Sequence, residues 1–284
     1  SILLLPLSPL AAQVSYQLGA GFHVESPYSY DAAAPFELQV GGLAISRQGE
    51  VIINEGGEVR IHREEGPLVL ATFSPGVFGS FLVMDPDGRS VWFAESSEHN
   101  IYRIALETGG AELVDRIEFN FDMAFAPAGA PGEFAGKGFI TGLGNSPENS
   151  LWLLDDDPGQ PNIEIISGIS PFSGPVTFDD KGNLYLVTSG LTDSRTGLPA
   201  EKLVRFSAGQ LAEAISGNTL QSSDGDVLRT EMAGLYNLTW LDRRLYGTNL
   251  GFQSGGGSID VIDPERGFTQ ASFARLELDG ETGG

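Results

Sequence analysis

Between Gly174 and Gly190 the chain reads GPVTFDDKGNLYLVTSG: a short apolar run, a polar turn centred on Gly182, then a second run rich in β-branched and aromatic residues. That pattern predicts a β-hairpin, because a strand alternates its faces every second residue and a tight turn favours Asp, Asn and Gly. The plan recurs as GLAISRQGEVIINEG from Gly42, FLVMDPDGRSVWFAESS from Phe81, DMAFAPAGAPGEFAGKGFITGLG from Asp122 and NLTWLDRRLYGTNLG from Asn237. The apolar anchors Ile45, Met84, Phe125, Phe178 and Trp240 mark the five copies. Each hairpin is followed by a third strand (EVRIHR, NIYRIAL, SLWLLD, KLVRFS, SIDVID), and usually by a fourth such as LVLATF from Leu68.

Repeats of about 40 residues or a little more, each with four short antiparallel strands, predict an all-β propeller with five visible blades. The expected boundaries are near 38–76, 77–118, 119–168, 169–232 and 233–278, within one domain spanning 14–284. The ring must protect its edge strands. Five blades can close it alone or with VSYQLGAGF from Val14 as a closing strand; a sixth blade in a longer protein is the alternative. One helix is expected at SAGQLAEAISG, where Ser207 and Gln210 have capping-box spacing and Gly217 can end it.

The first residues, SILLLPLSPLAAQ, form an apolar run ending in small side chains, as in a secretory signal peptide cut near Ala11 to Gln13. Pro6 and Pro9 argue against a ladder strand there, since neither has an N–H. The expectation is therefore a secreted or periplasmic protein whose residues 1–13 are a signal remnant. No other apolar run is long enough to span a membrane. Composition then narrows the partners. With 16 Lys plus Arg against 38 Asp plus Glu, the formal charge is -22, which disfavours nucleic acid and anionic lipid. The absence of Cys excludes disulfides and Cys-held metal centres, and no dinucleotide fingerprint or G-x-S-x-G elbow occurs. No nucleotide or redox cofactor is indicated. The expected partner is a small molecule, a glycan or a protein, bound by a monomer.

The G-L-A-apolar start, the D-x-x-G-N-L-Y turn and a strand ending like KLVRFS together resemble the NHL-repeat and gluconolactonase-like (senescence marker protein) propellers, over roughly residues 38 to 277. The resemblance implies a divalent cation, Ca2+ or another, at the channel, held by Glu, Asn and Asp near the starts of innermost strands. Asp122 in FDMAF and Asn237 in YNLTW lie at that end, one residue later than the family's ligand, and VGGLAI has no Glu before its Gly. The family's catalytic positions do not carry over onto this chain. A noncatalytic rim-binding role is expected first, and a metal-dependent hydrolase of lactone-like esters is the alternative.

Candidate cation ligands are Asp122, Asn237, Asn249 and Glu95; the competing role for these oxygens is to cap turns and strand ends. Candidate ligand contacts on the rim, where loops between second and third strands meet the linkers between blades, are Asn54, Glu55, His99, Asn120 and Phe252.

Overall fold

The computed structural model describes residues 14–18, 40–55, 57–74, 77, 79–95, 97–145, 148–155, 161–169, 174–192, 199–232, 235–249 and 258–278. Strand β1 (Val14–Leu18) precedes the first blade, which is β2 (Val40–Ile45), β3 (Val51–Glu55), β4 (Glu58–Arg63) and β5 (Gly66–Thr72). The second blade is β6 (Gly79–Met84), β7 (Ser90–Glu95), β8 (Asn100–Ala105) and β9 (Ala111–Arg116). The third is β10 (Met123–Phe125), β11 (Gly138–Leu143), β12 (Asn149–Leu153) and β13 (Ile163–Ser167). The fourth is β14 (Val176–Phe178), β15 (Leu184–Thr192), β16 (Pro199–Phe206) and β18 (Asp226–Met232); before β18 come helix α1 (Ala208–Ile215) and the short β17 (Leu220–Gln221). The fifth is β19 (Leu235–Leu241), β20 (Arg244–Asn249), β21 (Ser258–Asp263) and β22 (Thr269–Leu278).

Each blade is an antiparallel meander with its first strand innermost. The five-bladed propeller expected from the repeat is therefore the observed fold. VSYQL does pair with the last blade: β1 runs antiparallel to β22, with Val14 opposite Leu278, and so becomes a fifth strand outside it. β17 adds to the third blade in parallel with β13. Helix α1 has the expected capping box, with the Gln210 N–H donating to the Ser207 hydroxyl and the Ser207 N–H donating to the Gln210 side chain. Leu211 and Ala214 on its apolar face pack into the core beside the third and fourth blades.

The core is divided among the junctions between blades. Strand β7, SVWFAE, shows why its residues are apolar on both faces: Val91 and Phe93 pack toward the first blade, while Trp92 and Ala94 pack toward the third. A blade sandwiched on both sides needs near-continuous apolar second strands rather than strict alternation. Phe134, Phe139, Phe178 and Phe206 fill the next junction, and Val187, Leu203, Leu238 and Leu245 the last. The five anchors are less uniform than their recurrence suggested. Phe178 is buried, Met84, Phe125 and Trp240 are half-buried, and Ile45 is exposed.

Close approach explains one glycine. A Cβ on Gly42 would lie 2.9 Å from the Leu82 Cβ, so the innermost strands of the first two blades can touch only without a side chain there. The recurring hairpin turn has an equally local cause. Asp179 Oδ1 accepts from the N–H groups of Lys181 and Asn183 at 2.9 Å, and Asp179 Oδ2 accepts from the Asn183 amide and, at 3.4 Å, the Tyr185 hydroxyl. Asp85 does the same for Asp87 N–H and the Trp92 indole, and the Ser46 hydroxyl for Gln48 and Glu50 N–H. The repeated motif thus encodes a side-chain-capped turn.

Asp179→Ala should lower stability by about 1–3 kcal/mol, because it leaves buried donors without an acceptor. Asp180→Ala, one residue on and exposed, should stay within about 0.5 kcal/mol of the parent. Urea midpoints measure both.

Candidate functional site

At the end of the propeller that carries the β3–β4, β7–β8 and β11–β12 loops, four side chains of the expected ligand set, Asn54, Glu95, Asn120 and Asp122, are buried. Asn54, at the end of β3, accepts from the Gly79 N–H of the second blade at 3.0 Å through Oδ1, and its amide donates to the Glu58 carbonyl. Glu95, at the end of β7, is 2% exposed. It accepts from the Ser97 hydroxyl at 2.7 Å and from the N–H groups of Ser97, Glu98 and Asn100. Burial opposes its ionisation, but these donors outweigh it and hold the carboxyl below the usual glutamate range. Glu95 therefore organises the β7–β8 loop as a charged acceptor.

Asp122, just before β10, is 3% exposed. Its Oδ1 accepts from the Met123 N–H at 2.9 Å and its Oδ2 from the Val176 N–H of the fourth blade at 3.0 Å. Burial pushes its pKa up to about 7, against the pull of those two donors. Thr141 completes the junction by donating its hydroxyl to the Gly174 carbonyl at 2.7 Å. Asn120 donates to the carbonyls of Ile117 and Glu95, while its Oδ1 is buried with no donor.

Asn237 lies apart from this set in character: its side chain is exposed, and its Oδ1 accepts from the Thr239 hydroxyl at 3.4 Å. Glu55 is half-buried and lies 3.8 Å from Arg60. Asn249 ends β20, and Phe252 lies outside the described residues. Among the described residues no three His, Asp or Glu side chains converge as a metal cluster. The described oxygens do not gather around one cation position. Both Asp122 oxygens accept from backbone N–H groups, Glu95 accepts from three backbone N–H groups and the Ser97 hydroxyl, and the Asn120 Oδ1 has no donor. The turn-capping role describes Asp122, Glu95 and Asn54.

The rim also exposes aromatic side chains, beside polar ones such as Glu98, Glu118 and Asn237. Phe119, in the linker from β9 to β10, is 61% exposed, and its ring lies 5.4 Å from that of His99. Both residues hold left-handed backbone conformations, φ 50° for Phe119 and 64° for His99. Such conformations are costly for bulky side chains and persist where the surroundings hold them. Here the Phe119 N–H donates to His99 Nδ1 at 3.3 Å and the Ile117 N–H donates to the His99 carbonyl. Two residues on, Phe121 meets Tyr236 of β19 at 5.2 Å, past the start of the fourth blade. Gly174 makes room for this contact, since a Cβ there would come 2.9 Å from the Phe121 Cβ. Tyr236 is 51% exposed. The sequence reading does not single out Phe119, Phe121 or Tyr236; the available signal is aromatic residues in the otherwise polar β9–β10 linker and at the start of β19.

The Asp122 pKa has a sign that can be checked. A carboxyl raised above its ordinary value of 3.8 contributes stability that is fully present below that value and is lost as pH rises through about 7. The unfolding free energy of the parent should therefore fall between pH 5 and 8, by up to about 3 kcal/mol from this group, and the urea midpoint with it. Asp122→Asn should be less stable at pH 5, because an amide cannot accept both N–H groups, and its midpoint should vary less over the same range. Glu95 acts in the opposite sense and lower, losing its contribution as pH falls through its depressed pKa.

No protein-family model matches the chain, and no curated protein sequence matches it. Its structure is similar to a chain of a nidogen/laminin complex, at 14% identity over 84% of this chain and 82% of that one, with a TM-score of 0.58. It is also similar to regucalcin, a calcium-binding protein from Agrobacterium tumefaciens, at 15% identity over 86% and 75% of the two chains, with a TM-score of 0.53. A gluconolactonase from Xanthomonas campestris is 15% identical over 84% and 72%, with a TM-score of 0.51. At such identities the likeness shows architecture, and it agrees with the resemblance seen in the repeats: this chain has the β-propeller fold shared by gluconolactonase, regucalcin and the nidogen/laminin complex chain.

Proposed function

We propose that the protein is a noncatalytic binding propeller that engages a ligand or protein partner through its rim. The observation that carries this reading is the division of labour on that face. Its buried Asn54, Glu95 and Asp122 accept from backbone N–H groups, and Glu95 also from the Ser97 hydroxyl, whereas Phe119 and Tyr236 stand exposed on a framework that holds two strained residues in place. Rigid aromatic side chains give large contact area at low entropic cost, which is what a binding surface needs. The nidogen/laminin likeness is compatible with such a role and does not identify the partner.

The protein acts outside the cytoplasm in this account. The apolar 1–13 segment supports that placement, and β1 begins at Val14, so removing the expected signal leaves every described strand intact. Among the described residues no helix is long and apolar enough to cross a membrane.

A second reading, a metal-dependent hydrolase of lactone-like esters, has one structural observation in its favour: the orphaned Asn120 Oδ1, two residues from Asp122. Two measurements separate the readings. Peptides selected from a displayed library on the intact protein should lose at least about tenfold in affinity on Phe119→Ala or Tyr236→Ala, a difference of about 1.4 kcal/mol. Calorimetric titration of chelator-treated protein with calcium should show no saturable binding. Peptide affinities indifferent to both substitutions would remove the rim reading. Saturable calcium binding that is lost in Asp122→Ala would favour the hydrolase.

A further inference from the structure

The end of the propeller opposite the rim has a cleft of about 230 Å³ between the fourth and fifth blades. The β14–β15 turn supplies Asp180 and Lys181, the β19–β20 hairpin supplies Trp240 and Arg243, and the turn before β22 supplies Pro264 and Glu265. Its floor is aromatic. Trp240 stacks on Tyr185 with ring centroids 5.5 Å apart and planes 12° from parallel. Asp179, which caps the β14–β15 turn, accepts from the Tyr185 hydroxyl, and the backbone N–H of Trp240 donates to the Thr177 hydroxyl of the neighbouring blade at 3.2 Å. The indole is backed by the Tyr185 ring, and the surface it gives to the cleft is the part that ring does not cover.

Groups of both signs ring this floor. Lys181 and Arg243 are donors only, and ionised Asp180 and Glu265 are acceptors only. Arg243 and Glu265 pair at 2.7 Å with side chains 77% and 65% exposed. An ion pair so exposed is weak, and either partner can exchange it for a ligand at little cost.

The hairpin that presents Arg243 is strained. Asp242 and Arg243 both hold left-handed backbone, φ 48° and 63°, in a two-residue turn where Asn-Gly is the comfortable choice. Glycine at 243 would relieve that strain, and what the chain keeps instead is a guanidinium lining the cleft.

We propose that this cleft binds one pyranose ring of a neutral saccharide. The apolar C–H face of the ring would lie on Trp240, and its hydroxyls would bridge Lys181 and Arg243 to Asp180 and Glu265. An anionic ligand would leave the two acids unmatched, and a cationic one the two bases. A polyol whose every hydroxyl both donates and accepts matches the mixed ring, and its flat apolar face matches the indole. This site is separate from the rim and stands independently of the function proposed there.

The test uses the intact protein and the methyl glycosides of glucose, galactose, mannose and N-acetylglucosamine, with glycine as a zwitterionic control. The indole N–H resonances of Trp92, Trp152 and Trp240 are followed by NMR during each titration. At least one glycoside should shift the Trp240 resonance saturably, with a Kd on the order of 1 mM or tighter, leaving Trp92 and Trp152 in place. Arg243→Gly should weaken that binding at least about tenfold while its urea midpoint stays equal or rises, since glycine relieves the turn. Phe119→Ala should bind the glycoside as the parent does. The proposal is overturned by the absence of saturation with all four glycosides at about 50 mM, by binding unchanged in Arg243→Gly, or by glycine binding in their place.

Discussion

The structure depends on how the innermost strand of each blade satisfies the backbone groups it turns toward its neighbour. Blades pack face to face, so among the described residues few backbone bonds cross from one to the next, such as that from the Gly110 N–H to the Leu70 carbonyl, and a buried N–H without a partner costs about as much as a lost hydrogen bond. At the innermost strands, side chains make the crossing. Asn54 accepts from Gly79, Asp122 accepts from Val176, Thr141 donates to the Gly174 carbonyl, and Thr177 accepts from Trp240. Each bond joins one blade to the next at or near the start of an innermost strand. Apolar contact between blades is non-directional and sets no angle; these directional bonds do.

The same constraint explains the chemistry of the rim. Polar residues there are selected first as acceptors for the strand ends, and a carboxylate surrounded by backbone donors is poorly placed to share its oxygens with a cation. Asp122 is raised toward neutrality by its burial although two N–H groups favour its charge. Glu95, with four donor groups around it, goes the other way. Two buried acids on one face therefore hold opposite protonation tendencies for the same structural purpose. Between the stitches, the aromatic side chains of Phe119 and Tyr236 stand exposed, and the strain at His99 and Phe119 sits there too.

The fold was legible because its signals are local. The D-x-x-G-N turn appears in the sequence because Asp179 must cap Lys181 and Asn183, and the helix appears because Ser207 and Gln210 bond each other at a fixed spacing. Even the pairing of Val14–Leu18 with the last blade could be anticipated from the need to cover an edge. The site was harder to read. The sequence marks Asp122 and Glu95 as candidate cation ligands and Asn54 as a candidate rim contact, but whether such a side chain faces a ligand or a neighbouring blade depends on partners far along the chain, such as Val176 for Asp122. The contact between Phe121 and Tyr236 joins a linker to a strand more than a hundred residues on, which no repeat motif records. The Trp240 cleft was hidden for a related reason, since Trp240 took the place of a core anchor in its repeat.

The most direct test of the interblade account is amide hydrogen exchange at Gly79 and Val176, whose N–H groups donate to Asn54 and Asp122 of the preceding blade. They should exchange as slowly as amides in the middle of the buried strand β7, opening only when the propeller unfolds as a whole. Exchange at the rate of exposed loop amides would contradict the account, because it would show that the Asn54 and Asp122 bonds do not hold the blades together.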